Sequence, residues 1–321
     1  MDGRGDRYKG CEAIARGLAR GMTATRHVQI FLEDPLLQSA LKREHKFIRL
    51  LQDVLEQGGY STEFLSDTGS SYRDALSLVH MKRPRGRKGL TFRRVYHYPF
   101  WQIDQSEQRW VWDVAKARFD PETVNAGTAR KFQRFWRKRL YGTQHAPATP
   151  DGPVYVPLQG KLTKQRSFQV ISPIRMLETV LRYDANRDVV ATLHPKEIYD
   201  PTELSALEQL AFRHTRLTIG EGGPEHYLPI CAYVVTQNSS VAFDGFLFNR
   251  PAILCAKIDF HHIAQNLTRR TAEEAFDRVL TDRPDFAKYI HWFWQDQSIN
   301  AGRGDAAGKI RARLARFGWL D

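Results

Sequence analysis

No run of roughly 18 consecutive apolar residues occurs in this chain of 321 residues, so the sequence contains no candidate for a spanning helix. Cysteine is equally scarce. Cys11, Cys231 and Cys255 are odd in number, widely spaced and without metal-ligand spacing, which excludes a disulfide or zinc framework and points to a reducing compartment. No Asp-x-Asp is present to hold a diphosphate through a metal, and His261 and His262 are adjacent rather than spaced for one helical face, so no metal site is expected. Zinc-finger spacing, an RNP-type aromatic signature and a helix-turn-helix are all missing, which removes nucleic acid as an expected partner. Acidic residues are in deficit, 36 Asp plus Glu against 48 Lys plus Arg, a balance of +12. The excess is gathered at 82–88, 130–139, 161–166 and 303–316. Such a surface attracts polyanions, among them an anionic membrane leaflet or an acidic saccharide with its nucleotide donor. The first 25 residues carry positive charge without a continuous apolar segment, and read as a frayed or amphipathic leader rather than a secretory signal.

What is present is globular. At 42% hydrophobic and 12% aromatic, the chain is long enough for two domains with cores of their own. In the first half, alternation predicts a strand over 27–33. A helix is predicted over 41–57, with Phe47, Leu50, Leu51, Val54 and Leu55 on one face and Gly58-Gly59 as its stop. Residues 60–65 and 75–81 read as further strands or a strand and a short helix, 82–89 as a loop, and 91–97 as a strand. Two helices are expected at about 106–119 and 122–141. Their Trp110, Trp112, Phe132, Phe135 and Trp136 fall at helical spacing and suit packing better than a sugar platform. Residues 143–153 have linker composition, which suggests domains at 1–145 and 153–321.

The second half alternates strand and helix regularly. Strands are expected at 154–158, 189–193 and 216–219. Helices start at the N-cap and N1 proline pairs Ser172-Pro173 and Asp200-Pro201, and a short helix is expected at 224–230. Residues 233–258 then read as strand, polar turn, helix and strand. Asn238-Ser239-Ser240 supplies cap side chains and free backbone N–H groups at the helix start, where partial positive charge suits a phosphate. Proline after the strand ending in Thr192-Leu193 places His194, in His194-Pro195-Lys196, at the carboxyl edge of the sheet, where open parallel sheets bind ligands. Residues from 272 onward read as helical and are expected to brace the first domain.

The His-Pro and Ser-Ser elements resemble the motifs with which bacterial CMP-sugar glycosyltransferases hold the nucleotide phosphate. With Val156-Pro157-Leu158-Gln159 and a Ser-Pro helix start, residues 153–262 resemble the capsule polysaccharide synthesis proteins, which include Kdo transferases. That resemblance implies an α/β, GT-B-like architecture with two Rossmann-like domains facing across a cleft. It departs at 161–166, where a basic run stands in place of an acidic residue often found in the family, and at Asp244, where the family usually has Glu.

Glycosyl transfer needs a stabilised leaving phosphate, a deprotonated acceptor hydroxyl and a shielded donor. Donor contacts are expected from His194, Pro195, Lys196, Ser239, Ser240 and Gln159. Asp244 suits the helix dipole or a ribose hydroxyl, and Glu221, in a strand-end turn, suits the base or ribose. Asp34, closing the first strand, and His97 are the catalytic candidates, with Asp104 a further one. The expected activity is transfer of Kdo or a related CMP-activated sugar, without metal or cofactor, to a lipid-linked or saccharide acceptor. The expected location is cytoplasmic, at the inner face of the membrane. A GT-B sugar-nucleotide epimerase and a non-catalytic polyanion- or membrane-binding protein are the alternatives.

Overall fold

The computed structural model describes residues 26–73, 75–142 and 151–321. The expected leader, Cys11 and most of the expected linker lie outside the described residues. The chain forms two compact units, one holding the described residues up to Arg94 with 101–107 and 301–321, the other holding 95–100 and 108–300.

In the first unit β1 (Arg26–Leu32), β2 (Tyr60–Ser66), β3 (Leu76–His80) and β4 (Leu90–Arg94) are parallel, and β5 (Phe100–Asp104) runs antiparallel to β4. These strands lie in the order β5-β4-β3-β1-β2. Between β1 and β2 come α1 (Leu36–Leu41) and α2 (Lys46–Gln57). A single helix over 41–57 was the expectation, but Arg43 takes a positive φ of 55° and splits it. α2 starts where the His45 ring accepts from Ile48 N and stops at Gly58, with Gly59 at φ 83°. Its buried face is Phe47, Ile48, Leu51, Val54 and Leu55, and Phe47 stacks on Trp101 at 4.4 Å.

The second unit carries α3 (Ala126–Tyr141), then β6 (Val154–Pro157), α4 (Pro173–Tyr183), β7 (Val189–Thr192), α5 (Pro201–Arg213) and β8 (Leu217–Gly220). After these come β9 (Tyr233–Thr236), α6 (Ser240–Leu247), β10 (Ala252–Leu254), β11 (Gln265–Asn266), α7 (Ala272–Val279) and α8 (Phe286–His291). The strands run β11-β10-β9-β6-β7-β8, and every described pairing is parallel. Alternate residues of each strand enter two cores, Tyr155 and Val234 on one face, Val154, Val156 and Val235 on the other. Burial on both faces is what a doubly wound sheet requires. Ser172 and Asp200 cap α4 and α5 as their sequence pairs predict, the latter in a full capping box with Glu203.

Three further expectations are corrected. The strand expected over 91–97 ends at Arg94, because Tyr96 adopts φ 69° and turns the backbone out of the ladder. The helix expected over 106–119 is two short turns, Arg109–Val111 and Asp113–Lys116, separated by Trp112 in an extended conformation. Residues 272–300 pack within the second unit, where Tyr289, Phe293 and Trp294 are fully buried. Bracing of the first unit falls to the chain's end: α9 (Ala306–Arg316) packs on α2 with Ile310 and Leu314 buried. Beyond it the Trp319 indole donates to Lys88 O at 3.1 Å, and the Tyr60 hydroxyl donates to Trp319 O.

Candidate functional site

Along the second sheet the chain winds from β6 outward through β7 to β8, then returns to the other side of β6 for β9, β10 and β11. The reversal lies between β6 and β9, and a crevice outside the carboxyl ends of strands at such a switch is where doubly wound sheets bind ligands. Register sets the strand ends level: Pro157 pairs with Thr192, Thr192 with Gly220, and Thr236 with Leu254. The Thr236 hydroxyl donates to Pro157 O at 3.1 Å and ties β9 to β6 at the switch. From this one edge emerge Gln159, His194-Pro195-Lys196, Glu221 and Asn238-Ser239-Ser240.

The two serines are not equivalent. Ser239 is the N-cap of α6, its Oγ accepting from Val241 N at 3.3 Å, and it is buried. Ser240 is the first helical residue and remains partly exposed. His194 is exposed; its Nδ1 accepts from Lys196 N at 3.2 Å and its own backbone N–H donates to the Tyr199 hydroxyl at 2.8 Å. With Nδ1 spent as an acceptor, the neutral imidazole carries its proton on Nε2, which makes that nitrogen a donor. The loops after β6 and β7 meet, since a Cβ placed on Gly160 would lie 2.2 Å from the Glu197 carboxylate.

Arg166, Gln169 and Gln237 join this edge without having been singled out as contacts. Gln237 Nε2 donates to Ile171 O at 3.0 Å, and Gln169 Oε1 accepts from Arg166 N at 2.7 Å. Gln159 Oε1, Gln169 Nε2, Gln237 Oε1 and Arg166 Nε and Nη2 are buried without a hydrogen-bond partner among the described residues. Orphaned buried polar atoms are rare in native proteins, and each calls for a partner such as water, an ion or a ligand. The Arg166 guanidinium lies 5.0 Å from the centre of the Phe168 ring, which stacks on Trp110 at 5.8 Å. The basic run 161–166 marked Arg166 in sequence; an isolated glutamine gives no such signal.

Asp244, about one turn beyond Ser240 on α6, is brought together with His97. Asp244 is buried, with Oδ1 at 2.7 Å from His97 Nε2 and Oδ2 accepting from the Tyr141 hydroxyl at 2.8 Å. Burial and then the Asp244 carboxylate push the Tyr141 hydroxyl far up, which keeps it a donor. The carboxylate therefore fastens the segment 95–100 and the end of α3 to α6. Next to this pair, Tyr96 donates to Asp259 and accepts from Arg109 Nη1 at 3.2 Å, while Trp294 Nε1 donates to Val95 O. Asp104 is buried within β5 and accepts from Gln105 N at 2.8 Å.

Asp34 stands exposed at the carboxyl end of β1, which is the switch point of the first sheet because β1 separates β2 from β3. Beside it Glu33 Oε1 lies 3.4 Å from His80 Nδ1, and Lys82 pairs with Asp67. Burial first, then the charges of Arg93 and Arg94, hold the His80 imidazole down at about 4. Among the described residues no three His, Cys, Asp or Glu side chains gather as a metal ion requires. No helix among them is long and apolar enough to cross a membrane.

No protein-family model and no curated protein sequence matches the chain. Among solved structures it is similar to Thermosulfurimonas dismutans KpsC, described as a beta Kdo 2,7 transferase, at 12% identity over 83% of this chain and 89% of that one, with a TM-score of 0.49. The beta Kdo 2,4 transferase of the same KpsC aligns with the same identity and coverage at a TM-score of 0.44. S. aureus MnaA in complex with UDP aligns at 10% identity over 92% of this chain and 98% of that one, with a TM-score of 0.35. Likenesses this distant carry no chemistry across. The fold rests on the strand orders given above.

Proposed function

We propose that the chain is a glycosyltransferase that takes its sugar from a nucleotide donor, the donor being CMP-activated Kdo or a related acidic sugar. The observation that carries the reading is the emergence, from the carboxyl edge of the second sheet, of a histidine proton donor and a serine-capped helix start, together with buried atoms of Gln159, Arg166, Gln169 and Gln237 that have no hydrogen-bond partner among the described residues. The leaving phosphate would accept from His194 Nε2 and the Ser240 hydroxyl, with the first backbone N–H groups of α6 and the charge of Lys196 adding field. Ser239 sets the geometry of that helix start. Gln159 and Pro195 shape the rim, and Glu221, exposed after β8, is placed to accept from a ribose hydroxyl. We assign deprotonation of the acceptor hydroxyl to Asp34, the exposed carboxylate at the first sheet's switch point, or to His97, which a carboxylate orients through the 2.7 Å contact of its Nε2 with Asp244 Oδ1. A monophosphate leaving group can be balanced by such protein donors alone, so the reading includes independence of metal. The acceptor would be lipid-linked or a saccharide, with the basic segments at 82–88 and 303–316 drawing the enzyme to anionic lipid.

Calorimetry in chelator with CMP, UDP and ADP tests the donor, and nucleotide release from a panel of nucleotide sugars tests the reaction. CMP is expected to bind tightest, with CMP released in step with glycosylated product. Tightest binding of UDP, or a requirement for divalent metal, would overturn the donor assignment. Binding of CMP without release from any sugar donor would overturn the enzymatic one.

A further inference from the structure

A groove of about 770 Å³ opens in the second unit, at the edge of the sheet opposite the serine motif. Its lining residues locate it: Ala232 and Pro251 immediately precede β9 and β10, and Arg187 precedes β7. The volume falls within the range of small-ligand sites. Nothing assigned to the donor edge uses it.

Its chemistry is specific. Arg130, Arg187, Arg250 and Arg283 line it, with an apolar side made by Leu280, Pro284 and Phe286 among others. Two acids are present, but both are committed: Asp285 Oδ1 caps α8 by accepting from Lys288 N at 2.9 Å, and Asp282 Oδ2 accepts from Gln265 at 2.7 Å. Arg250 is committed as well, to the carbonyls of Leu228 and Pro229. Arg130 is different. It is exposed on α3 and has no hydrogen bond or ion pair among the described residues, and Arg283 is exposed beside it on the rim, bonded only to backbone carbonyls. Gln133 gives its amide hydrogens to Phe246 O and Asn249 Oδ1, which leaves Gln133 Oε1 and Asn249 Nδ2 as the uncommitted amide atoms of the lining. Guanidinium groups match a carboxylate, amides match hydroxyls, and an apolar side with an aromatic ring matches the C–H face of a pyranose. Arg187 pairs with Asp184 at 3.2 Å and Arg250 is spent on carbonyls, so Arg130 and Arg283 are the guanidinium groups that the lining offers to a carboxylate.

We propose that this groove is a second carbohydrate site, which binds an acidic saccharide through its carboxylates at Arg130 and Arg283, apart from the donor edge. The inference rests on the groove alone and stands whichever nucleotide the donor edge takes. A competing account, that the arginines only neutralise the carbonyl ends of α6 and α7, which open here, makes the opposite prediction.

The test is calorimetry on the full chain at low salt, with tetragalacturonate as the probe, maltotetraose as the neutral control and inorganic phosphate as competitor. Tetragalacturonate should bind, maltotetraose should not, and Arg130→Gln with Arg283→Gln should weaken binding at least tenfold at an unchanged melting temperature. CMP affinity should stay within twofold in the double variant. Absence of tetragalacturonate binding, or equal binding by the double variant, would overturn the site. Displacement by equimolar phosphate would overturn the saccharide assignment. A double variant that melts earlier is replaced by Arg130→Gln alone, which lies on the exposed face of α3; unchanged binding there overturns the proposal in the same way.

Discussion

Ser239 and Ser240 are adjacent in sequence and separated in role by one residue of helix geometry. The cap hydroxyl of Ser239 satisfies Val241 N, so Ser239→Ala should lower stability by about 0.5–2 kcal/mol, read by urea unfolding. Ser240 makes no cap bond, so Ser240→Ala should leave the unfolding midpoint in place and weaken CMP binding by on the order of tenfold, as should His194→Ala. Unchanged CMP affinity in both variants would remove the donor site. Asp244 behaves as the inverse case. Its carboxylate is buried against His97 and Tyr141, and Asp244→Ala leaves both without their partner. It should cost about 2–4 kcal/mol while CMP affinity of the folded protein stays within a few-fold. Weakened CMP binding at full stability would return Asp244 to the donor edge. In sequence nothing distinguishes these residues: serine is a good cap and a good phosphate ligand, and an aspartate one turn into a helix can face inward or out.

At the scale of elements, caps and periodicity were informative and irregular backbone was not. Ser172-Pro173 and Asp200-Pro201 start helices at the expected residues because the cap side chain and the proline act within one turn. The segment 95–100 departs from expectation because its conformation is set by long-range partners, Trp294 on Val95 O, Asp259 on Tyr96 and Asp244 on His97. Residues 109–116 break into turns for a similar reason, since Trp110 is held by stacking on Phe168 rather than along a helical face. The C-terminal segment gives a test at this scale. α9 buries Ile310 and Leu314 against α2, so Ile310→Ala should cost about 2–4 kcal/mol and lower hydrogen-exchange protection in α2. Unaltered protection of α2 would show that α9 does not support it.

At the scale of the whole molecule, buried imidazoles tie stability to pH: burial lowers His45, and lowers three others further. His80, His261 and His262 are each lowered from 6.5 to about 4, chiefly by burial. Between those values the unfolded chain takes up protons that the folded chain refuses, so stability falls as pH drops from about 6.5 toward 4 and is constant with respect to these groups above 7. Each pH unit separating a ring's folded and unfolded titrations corresponds to about 1.4 kcal/mol, so the loss from the three together should reach several kcal/mol. Urea unfolding at pH 7.5, 6.5 and 5.5 should show the midpoint descending as the window is entered, before the carboxylates begin to titrate. A midpoint constant to pH 5.5 would mean that the rings accept protons while folded.

Local chemistry in the sequence determined the α/β class, the alternation of strand and helix in the second unit, and the presence of His194, Ser239 and Ser240 at the carboxyl ends of their strands. Periodicity, caps and proline stops all act over a few residues, and the carboxyl edge follows from strand direction once the sheet is parallel. Strand order was decided only in three dimensions, and with it the switch point between β6 and β9 that gathers those residues. Tertiary structure also turned Asp244 inward to His97, enclosed one side-chain atom each of Gln159, Gln169 and Gln237 without a hydrogen-bond partner among the described residues, and brought Arg130 and Arg283 to one groove across some 150 residues of chain. Each of these depends on which distant segment fills the space beside a side chain. A buried polar atom acquires its meaning from the partner that packing supplies or withholds, and no window of neighbouring residues contains that partner.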